Sequence, residues 1–326
     1  MKAAVIHEYG DEDVFRYEDA PDPSPGPDEV LIKIRAAALN RGDFGRRSGG
    51  FNPTNAQPPI IIGWDVAGDV VEAGANVTNL KPGDRVVSQV MGGGYAELVA
   101  APAIATVVIP EAVSYEAAAS LPVAWLTAWI ALLDTAALQP GETVLVQSAS
   151  SGVGMAGIQI AKKIGGASVV FTTAGTDEKC ARALELGADY AINYSTGDFL
   201  AEVLEKTNGR GVDVALDMIG VEVFRRTQLA LADGGRLVSV GRAGGLPPEP
   251  DMMMGEARGH QITTGWLLFT IKPREEISWE LTKILNAISE GKLDPVVDKV
   301  FPLSEAAEAH RYLAGRNQFG KVLLRP

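Results

Sequence analysis

The pattern of apolar and polar residues changes at two places along this chain of 326 residues. In the first part, Val30, Ile32 and Ile34 alternate with polar residues, which is the period of two that marks a strand with one buried face. Many short strands separated by turns rich in Gly and Pro predict a small β-barrel over residues 1–121. Further strands are predicted at Gly68–Glu72, Arg85–Ser88, Tyr95–Ala100 and Thr106–Ile109.

From residue 122 to residue 262, strand-like runs alternate with helical ones. Alternation of this kind predicts a doubly wound parallel sheet with helices on both faces, and therefore an α/β fold. The strands are predicted at Thr143–Gln147, Ser168–Thr172, Asp213–Asp217, Arg236–Val240 and Gln261–Thr264. The helices are predicted at Gly157–Ile164, Glu178–Leu186 and Phe199–Lys206.

Residues 263–326 form a third region. A helix is predicted to begin at Pro273 and to end at Gly291, with an apolar stripe along one side. Ser304 is predicted to cap a second helix, which ends near Gly315. The stripe consists of Ile277, Leu281, Ile284, Leu285 and Ile288, and short strands are predicted at Pro295–Phe301 and Lys321–Leu324.

Composition narrows the classes of function. The chain has 46% apolar and 21% charged residues, which is ordinary for a globular protein. Its 41 acidic and 29 basic residues give a net charge of −12, which disfavours a nucleic acid or an anionic membrane surface as the partner. The longest apolar stretch, Ala117–Leu133, contains three interruptions and predicts a buried helix, since a membrane span needs about 20 apolar residues.

Two further features indicate the compartment. Charges at Glu8 and Asp11 come too early for the apolar region of a signal peptide. Cys180 is the only cysteine, which excludes an intrachain disulfide and a cysteine-rich metal cluster and favours a reducing environment. The sequence therefore predicts a cytoplasmic protein.

A loop of small residues follows the first strand of the α/β region. Such a loop lets the backbone approach a pyrophosphate, whose charge the start of the next helix stabilises. A literal Gly-x-Gly-x-x-Gly can be read from Gly152 to Gly157, but it begins too far after the strand. The register Ala149-x-Ser151-x-x-Gly154 is preferred, with Gly157 packing the helix on the sheet. The loop reads Ser148-Ala149-Ser150-Ser151-Gly152-Val153-Gly154.

The end of the second α/β strand bears on the choice of cofactor. NAD sites place a carboxylate about 20 residues after the loop to bind the ribose 2′-hydroxyl. Here the strand ends in Thr173-Ala174, and Asp177 comes later, at the start of the next helix. Lys179 follows where it could meet a 2′-phosphate; the alternative is a solvated helix lysine. The missing carboxylate favours NADPH.

Short motifs of one recurrent kind occur along nearly the whole chain. They are Asn40-Arg41-Gly42-Asp43, Gly63-Trp64-Asp65-Val66-Ala67-Gly68, Pro82-Gly83-Asp84-Arg85-Val86, Gly94-Tyr95-Ala96-Glu97, Trp125-Leu126-Thr127-Ala128, Leu186-Gly187-Ala188-Asp189, Ala309-His310-Arg311-Tyr312 and Gly320-Lys321-Val322-Leu323-Leu324. With these motifs the chain resembles the zinc-free quinone oxidoreductase branch of the medium-chain dehydrogenase/reductase superfamily. The run around Trp125 and the tail are most similar to its p53-inducible type.

The resemblance implies a domain organisation. A GroES-like β-barrel catalytic domain is formed by residues 1–121 and 263–326, and a Rossmann dinucleotide-binding domain, residues 122–262, is inserted between them. The resemblance also implies an active site in the cleft between the domains and a homodimer joined through the dinucleotide sheets. The predicted strand Gln261–Thr264 at the free edge of that sheet would suit such pairing.

The resemblance further implies site residues. Asn40, Asp43 and Thr127 would lie near the nicotinamide, where Asn40 and Thr127 could hydrogen-bond the carboxamide or an acceptor oxygen. The alternatives are that Asn40 caps a turn and that Thr127 bonds its own helix. The implied cofactor-binding residues are Ala149, Ser151, Gly152, Val153, Gly154, Gly175, Lys179, Tyr194, Gly241, Arg242 and Arg316. For Tyr194 the alternative is an edge aromatic on the sheet, and for Arg316 it is a cation at a helix end.

One departure from the family concerns the substrate. Several relatives have an aromatic ring over the site where this chain has Gly45, and Phe44 or Trp64 is expected to compensate. Arg47 matches a family arginine, with a surface position as the alternative.

The residues argue against a catalytic metal. Zinc members of the superfamily have a Cys in the region of Asn40 and a His-Glu pair where this chain has Trp64-Asp65. The histidines are scattered, and His310 is predicted to lie at the surface of a helix. No bound metal is expected.

These observations lead to one function and two alternatives. Without a metal, hydride transfer to an electron-poor acceptor requires little more than placement, because the cofactor carries the chemistry. We therefore expect an NADPH-dependent quinone oxidoreductase. The alternatives are an NADPH-dependent enoyl or alkenal reductase, and a low-turnover structural protein that binds NADPH. The sequence does not separate quinone from enone acceptors.

Overall fold

The computed structural model describes residues 1–246, 248–265 and 274–326, and for residues 274–276 it describes the backbone alone. The predicted helix start at Pro273 lies outside this range. Two compact units divide the chain: the first contains Met1–Ala124, Pro273–Gly291 and Pro295–Pro326, and the second contains Trp125–Lys272 and Lys292–Asp294.

The first unit is built on two β-sheets. Its strands are β1 (Lys2–Ile6), β2 (Phe15–Asp19), β3 (Glu29–Ala38), β4 (Ile60–Ile61), β5 (Asp65–Ala73), β6 (Arg85–Gln89), β7 (Leu98–Pro102), β8 (Thr106–Val108), β15 (Val297–Pro302) and β16 (Lys321–Arg325). A seven-stranded sheet has the order β15-β16-β3-β5-β6-β8, with β7 also paired to β3, and a three-stranded sheet has the order β2-β1-β4. Long β3 is central because Val30, Ile32 and Ile34 point into one buried cluster with residues of β5, β6 and β16.

Short helices cover this sheet. They are α1 (Arg41–Ser48), α2 (Tyr115–Ala119), α9 (Arg274–Ser289) and α10 (Ala306–Ala314). On α10, Ala306, Ala309 and Leu313 recur at helical spacing and are buried in the same apolar cluster as β3. Helix α1 lacks an apolar stripe, and its buried residues are Asp43, Arg46 and Arg47. The side chains that α1 buries are therefore charged and require polar partners in the interior.

The second unit is a parallel sheet with helices. Its strands are β9 (Thr143–Val146), β10 (Val169–Ala174), β11 (Tyr190–Asn193), β12 (Val212–Asp217), β13 (Leu231–Ser239) and β14 (Gln261–Thr264). Its helices are α3 (Pro122–Trp129), which begins in the first unit, α4 (Gly152–Gln159), α5 (Asp177–Glu185), α6 (Phe199–Lys206), α7 (Val221–Leu229) and α8 (Met252–Arg258). The six strands lie in the order β11-β10-β9-β12-β13-β14, with every neighbouring pair parallel. The predicted doubly wound α/β sheet is confirmed.

Several predicted elements differ from the observed ones. The seven-stranded sheet does not close into a barrel within the described residues, because β15 and β8 are its two ends. Tyr95 precedes β7, since Ala96 makes only an isolated bridge to Ala3. Ser304 does not cap α10, because it lies inside a 3₁₀ turn, Leu303–Glu305, that leads into the helix.

Two helical predictions also need correction. The apolar stretch Ala117–Leu133 is not one helix: α2 ends, α3 begins at Pro122, and a π-helical turn Ile130–Thr135 follows. Helix α4 begins at Gly152, earlier than predicted, and continues into a second π-helical turn, Ile160–Ile164. None of the helices in the described ranges combines the length and the apolar composition that crossing a bilayer requires.

Candidate active site

The small-residue loop of the second unit turns tightly between β9 and α4. Ser148, two residues after the strand ends, has a φ of +59°, which few residues other than Gly and Asn adopt. Ser151 is the N-cap of α4: its hydroxyl accepts the Gly154 N–H at 2.9 Å and donates to the Ser148 carbonyl at 2.8 Å. The cap leaves the other first-turn N–H groups of α4 available to an anion.

The glycines of this loop are required by close packing. A Cβ on Gly154 would lie 2.0 Å from the Ser148 carbonyl oxygen, which is shorter than any real contact. A Cβ on Gly157 would lie 3.1 Å from side-chain atoms of Val146 and Leu216, so this glycine packs α4 on the sheet. The geometry matches the register chosen from the sequence. Binding of pyrophosphate by this loop stays a prediction.

A network of buried polar side chains holds the start of the loop by hydrogen bonds. The Thr173 hydroxyl donates to Gln147 Oε1 at 2.6 Å, and Gln147 Nε2 donates to the Thr227 hydroxyl at 2.9 Å. Thr173 also accepts the Ser148 N–H through its hydroxyl at 3.1 Å and the Ala149 N–H through its carbonyl at 2.8 Å. Sequence reasoning missed Gln147 and Thr173, although polar residues at the ends of two buried strands were the available signal.

The residues predicted for the adenosine side meet at the ends of β10 and β11. A Cβ on Gly175 would lie 2.7 Å from the Tyr194 hydroxyl, so the ring of Tyr194 closes over this glycine. Tyr194 is 55% exposed, which leaves much of its surface available to a ligand. Lys179 is half-buried in the first turn of α5, which Thr176 caps. The Asp177 carboxylate accepts a hydrogen bond from Asn193 Nδ2 at 2.7 Å.

The remaining residues predicted in the second unit lie on two further elements. Gly241 follows β13, and a Cβ there would lie 2.6 Å from the Met218 carbonyl oxygen, so this turn packs closely on the end of β12. Arg242 is the next residue along that turn. Thr127 lies on α3 and is 8% exposed.

In the first unit, Asn40 stands at the centre of a buried polar cluster. Its backbone N–H donates to Asp43 Oδ2 at 2.7 Å, across the first turn of α1. Its side-chain Nδ2 donates to Asp65 Oδ2 at 2.9 Å, and Lys321 Nζ donates to its Oδ1 at 2.6 Å. These contacts assign both ends of the amide and leave one Nδ2 hydrogen for another acceptor. Asn40 is 8% exposed, whereas Asp43 and Asp65 are fully buried.

Burial sets the ionisation of this cluster. It raises the pKa of Asp43 to about 7, and the Asp65 charge adds to that rise. It also raises the pKa of Asp65 and lowers that of the Lys321 ammonium, which lies 3.6 Å from Asp65 Oδ2. Asp43 Oδ1 has no hydrogen-bond partner among the described residues and is therefore the oxygen on which a proton would sit.

His310, which was predicted at the surface, and Arg47, for which a surface position was the alternative, are both buried. His310 is fully buried on α10, where its Nδ1 lies 2.7 Å from Arg47 Nη1 and its Nε2 lies 3.2 Å from the Tyr95 hydroxyl. The surface prediction for His310 is therefore wrong, because the residue shares the apolar face of its helix. Arg47 is 6% exposed and pairs with Glu12 Oε1 at 2.6 Å, which excludes the surface alternative for it.

The aromatic residues predicted to contact substrate have different neighbours. Phe44 packs on His310, with ring centroids 5.1 Å apart, and Arg47 lies over its ring. Trp64 is buried against α1, where a Cβ on Gly42 would lie 2.8 Å from its ring. Phe51 contacts Trp64 edge-to-face at 5.5 Å, and a Cβ on Gly45 would lie 3.0 Å from it. Phe51, which sequence reasoning missed, therefore takes the space that Gly45 leaves.

A cationic pair lies near the end of α10. Arg316 has a φ of +58°, two residues after the helix ends. Partial desolvation and the nearby charge of Arg316 lower the pKa of Arg41, the first residue of α1. Two neighbouring guanidinium groups suit an anionic ligand. Arg41 is a further residue that sequence reasoning missed, since nothing in the chain near it points to Arg316.

The residues that replace the zinc ligands do not suit a metal. Lys321 places an ammonium between Asn40 and Asp65, and a divalent cation there would be repelled by that charge. Among the described residues, no group of three or more His, Cys, Asp or Glu side chains could hold a metal ion. Metal independence nevertheless stays a prediction.

Comparisons with known proteins agree with this geometry. Residues 26–111 match the family described as alcohol dehydrogenase GroES-like domain, and residues 186–324 match the one described as zinc-binding dehydrogenase. The chain is 33% identical to a 2-haloacrylate reductase of Burkholderia sp, covering all of this chain and 99% of that protein. It is 32% identical to a quinone oxidoreductase of Sus scrofa, covering 99% of this chain and 97% of that protein.

A solved structure is similar throughout. It is the Escherichia coli quinone oxidoreductase complexed with NADPH, which superimposes with a TM-score of 0.93 at 29% identity over the whole of both chains. The two-unit fold, the phosphate-type loop and the similarity over full length together place the chain in the medium-chain dehydrogenase/reductase superfamily, in its quinone oxidoreductase branch.

Proposed function

We propose that the protein is an NADPH-dependent oxidoreductase that reduces a quinone without a metal. The observation that carries the proposal is the Asn40–Lys321–Asp65 cluster, in which a buried ammonium lies between an amide and a carboxylate. A site of this composition can place and hydrogen-bond an acceptor but lacks a Lewis acid. Acceptors that are already electron-poor are therefore the best match.

The second unit fits the proposed cofactor. Gly154, whose Cβ would collide with the Ser148 carbonyl, allows the tight turn by which the loop backbone can approach a pyrophosphate. Bound NADPH supplies the hydride. Beyond this loop, the adenosine end would be held at Gly175, Tyr194 and Lys179. Further contacts are proposed for Ala149, Ser151, Gly152, Val153, Gly241, Arg242 and Arg316.

The first unit supplies the proposed polar contacts. The free Nδ2 hydrogen of Asn40 can donate to the carboxamide or to an acceptor oxygen, because Asp65 and Lys321 hold the amide in one orientation. Thr127, on α3, is proposed as a second donor. Asp43 is fully buried, so it acts through Asn40 and not by touching the acceptor. Phe51 and Phe44, which are both half-buried, are proposed to contact the acceptor, and the buried ring of Trp64 packs against Phe51.

Reduction of an activated C=C bond is the second candidate function. The similarity to a 2-haloacrylate reductase favours it, because hydride placement without a metal serves both reactions. The two candidates differ only in the acceptor, which loops alter readily on one scaffold.

A panel of acceptors tests these proposals. We expect NADPH oxidation with 1,4-benzoquinone, 1,4-naphthoquinone or but-3-en-2-one, unaffected by chelators, and no oxidation of ethanol or benzyl alcohol with NADP⁺. The ratio of kcat/KM for quinones and enones decides between the first and second candidates. Robust alcohol oxidation with no quinone or enone reduction would contradict both, as would one zinc per chain whose removal abolishes activity. NADPH binding without turnover on any acceptor would indicate a structural role.

We also propose a homodimer joined along β14. This strand pairs with β13 on one side, and its other side has no neighbouring strand among the described residues, so that edge of the six-stranded sheet can pair with its twin. Light scattering at micromolar concentration should give twice the chain mass of 34.4 kDa. Thr263→Pro, within β14, should shift the protein toward a monomer, whereas a wild-type monomer would contradict the proposal. A cytoplasmic location is likewise proposed.

A further inference from the structure

A chain of buried side chains connects α10 with the cap of α1. Arg47 donates to the Gly10 carbonyl at 3.2 Å and to Glu12 Oε1 at 2.6 Å, which fixes its guanidinium. Its Nη1 then contacts His310 Nδ1, and His310 Nε2 contacts the Tyr95 hydroxyl. The Tyr95 hydroxyl donates to Asp43 Oδ2 at 3.0 Å. His310 and Tyr95 are both fully buried.

The direction of every hydrogen bond from Arg47 through His310 and Tyr95 to Asp43 is determined. A guanidinium only donates, so His310 Nδ1 must accept from Arg47 and the imidazole must be neutral, with its hydrogen on Nε2. That hydrogen is donated to the Tyr95 oxygen, which leaves the hydroxyl hydrogen of Tyr95 for Asp43. Burial and the Arg47 charge lower the pKa of His310 well below its usual value, in agreement with a neutral ring.

The series of hydrogen-bonded side chains ends on Asn40. Asp43 Oδ2 receives two donors, the Tyr95 hydroxyl and the Asn40 backbone N–H. The cap of α1 therefore depends on Asp43. The same contact fixes the backbone position from which the Asn40 side chain extends. Hydride transfer is sensitive to errors in placement of about 1 Å, so a residue that fixes the Asn40 backbone can alter the rate.

We propose that Tyr95 and His310 are positioning residues that hold Asn40, through Asp43, for hydride transfer. This inference rests on the proposed function and deepens it. This series of hydrogen bonds does not conduct a proton to the acceptor, because it begins at the Arg47 guanidinium, which does not deprotonate. Its effect is to keep Asp43 ionised and fixed as the acceptor of the Asn40 N–H.

The charges around Asp43 determine how the proposal depends on pH. Asp65 on β5 opposes its ionisation, and Lys321 on β16 and the Tyr95 hydroxyl favour it. On α1, the helix that contains Asp43, the charge of Arg47 is neutralised by Glu12. His310 on α10 is uncharged. Since Asp43 has a pKa of about 7, its charge is lost as the pH falls through neutrality. The acid limb of kcat should therefore lie near pH 7.

Tyr95→Phe is the principal test, because it removes the hydroxyl and keeps the ring. Losing a donor to the ionised form should raise the pKa of Asp43 by about one unit or more. Carbon-13 NMR of the Asp43 carboxyl in the cofactor-free protein measures that shift. The acid limb of kcat should move upward equally, so that kcat falls about fivefold at pH 7 and recovers near pH 9. The dissociation constant of NADPH should change less than twofold.

His310 provides a rescue test and Tyr312 a control. His310→Gln retains one acceptor and one donor and should keep the wild-type profile better than His310→Leu, which leaves Arg47 Nη1 without its partner. Tyr312→Phe also removes a tyrosine–carboxylate hydrogen bond made from α10, to Asp298 at 2.7 Å, and should leave the profile unchanged.

The outcomes separate this inference from the proposed function. If the Tyr95→Phe enzyme is active with an unmoved acid limb, or if the Asp43 carboxyl titrates as in the wild type, Tyr95 and His310 only stabilise the fold. If the wild-type protein reduces no acceptor, the proposed function is wrong, and the positioning role for hydride transfer is wrong with it, whatever the NMR titration gives.

Discussion

Gly154→Ala should abolish measurable NADPH binding and lower the free energy of unfolding by about 3 kcal/mol. The added Cβ would lie 2.0 Å from the Ser148 carbonyl oxygen and 2.7 Å from its carbon, so the backbone has to move. Ser148 cannot easily retreat, because the Thr173 hydroxyl accepts its N–H and is itself bound to Gln147. Fluorescence titration with NADPH and denaturant unfolding measure the two effects.

Two other helical glycines provide matched controls. In α8, a Cβ on Gly255 would meet only Gln228 Nε2, at 3.8 Å, so Gly255→Ala should stabilise the protein by up to about 1 kcal/mol. The change in the free energy of unfolding for Gly157→Ala should lie between those for Gly154→Ala and Gly255→Ala, because a Cβ on Gly157 would lie 3.1 Å from side chains that can shift. NADPH affinity of Gly154→Ala within threefold of wild type would show that the loop does not form the proposed pyrophosphate site.

The second unit was predictable because its signals are local. Parallel strands buried on both faces appear as short apolar runs, as in Val144, Leu145 and Val146 of β9. The loop that follows must be made of small residues, and their spacing is set by the distance between a strand end and a helix start. The helix still began earlier than predicted, because Ser151 caps it directly.

The buried network of the first unit was less predictable, since its partners are distant in the sequence. Lys321 is ordinary as a strand residue, and its burial follows from Asp65 and Asn40, which lie far along the chain. His310 did carry a signal: Ala306, Ala309 and Leu313 are spaced so that it falls on their apolar face. Reading it as a surface residue gave too much weight to its polar neighbour.

Lys179→Ala should weaken NADPH binding by about 10- to 150-fold and leave NADH binding nearly unchanged. The range follows from a charge-assisted hydrogen bond of about 1.5–3 kcal/mol to the 2′-phosphate, at about 1.4 kcal/mol per tenfold change. The wild-type protein should therefore prefer NADPH. Binding titrations of both cofactors to both proteins measure this.

The position of Lys179 makes it the best candidate for that contact. It lies half-buried in the first turn of α5, beside the carboxyl end of β10, which closes with Thr173 and Ala174 and offers no carboxylate. Two acids, Asp177 and Glu178, lie in the first turn of that helix beyond the strand end, and Asp177 is engaged by Asn193 Nδ2. A free 2′-hydroxyl thus lacks its usual partner there, whereas a phosphate would meet a cation and the exposed face of Tyr194.

Lys206→Ala separates a specific contact from the loss of one positive charge. Lys206 lies at the end of α6, where it pairs with Glu205 at the surface, and its replacement should leave the affinities for both cofactors unchanged. The effect of Lys179→Ala should also shrink as ionic strength rises, since the phosphate contact is partly exposed. Equal wild-type affinities for NADPH and NADH, or equal losses of both in Lys179→Ala, would show that Lys179 is a solvated helix residue and that the cofactor preference has another source.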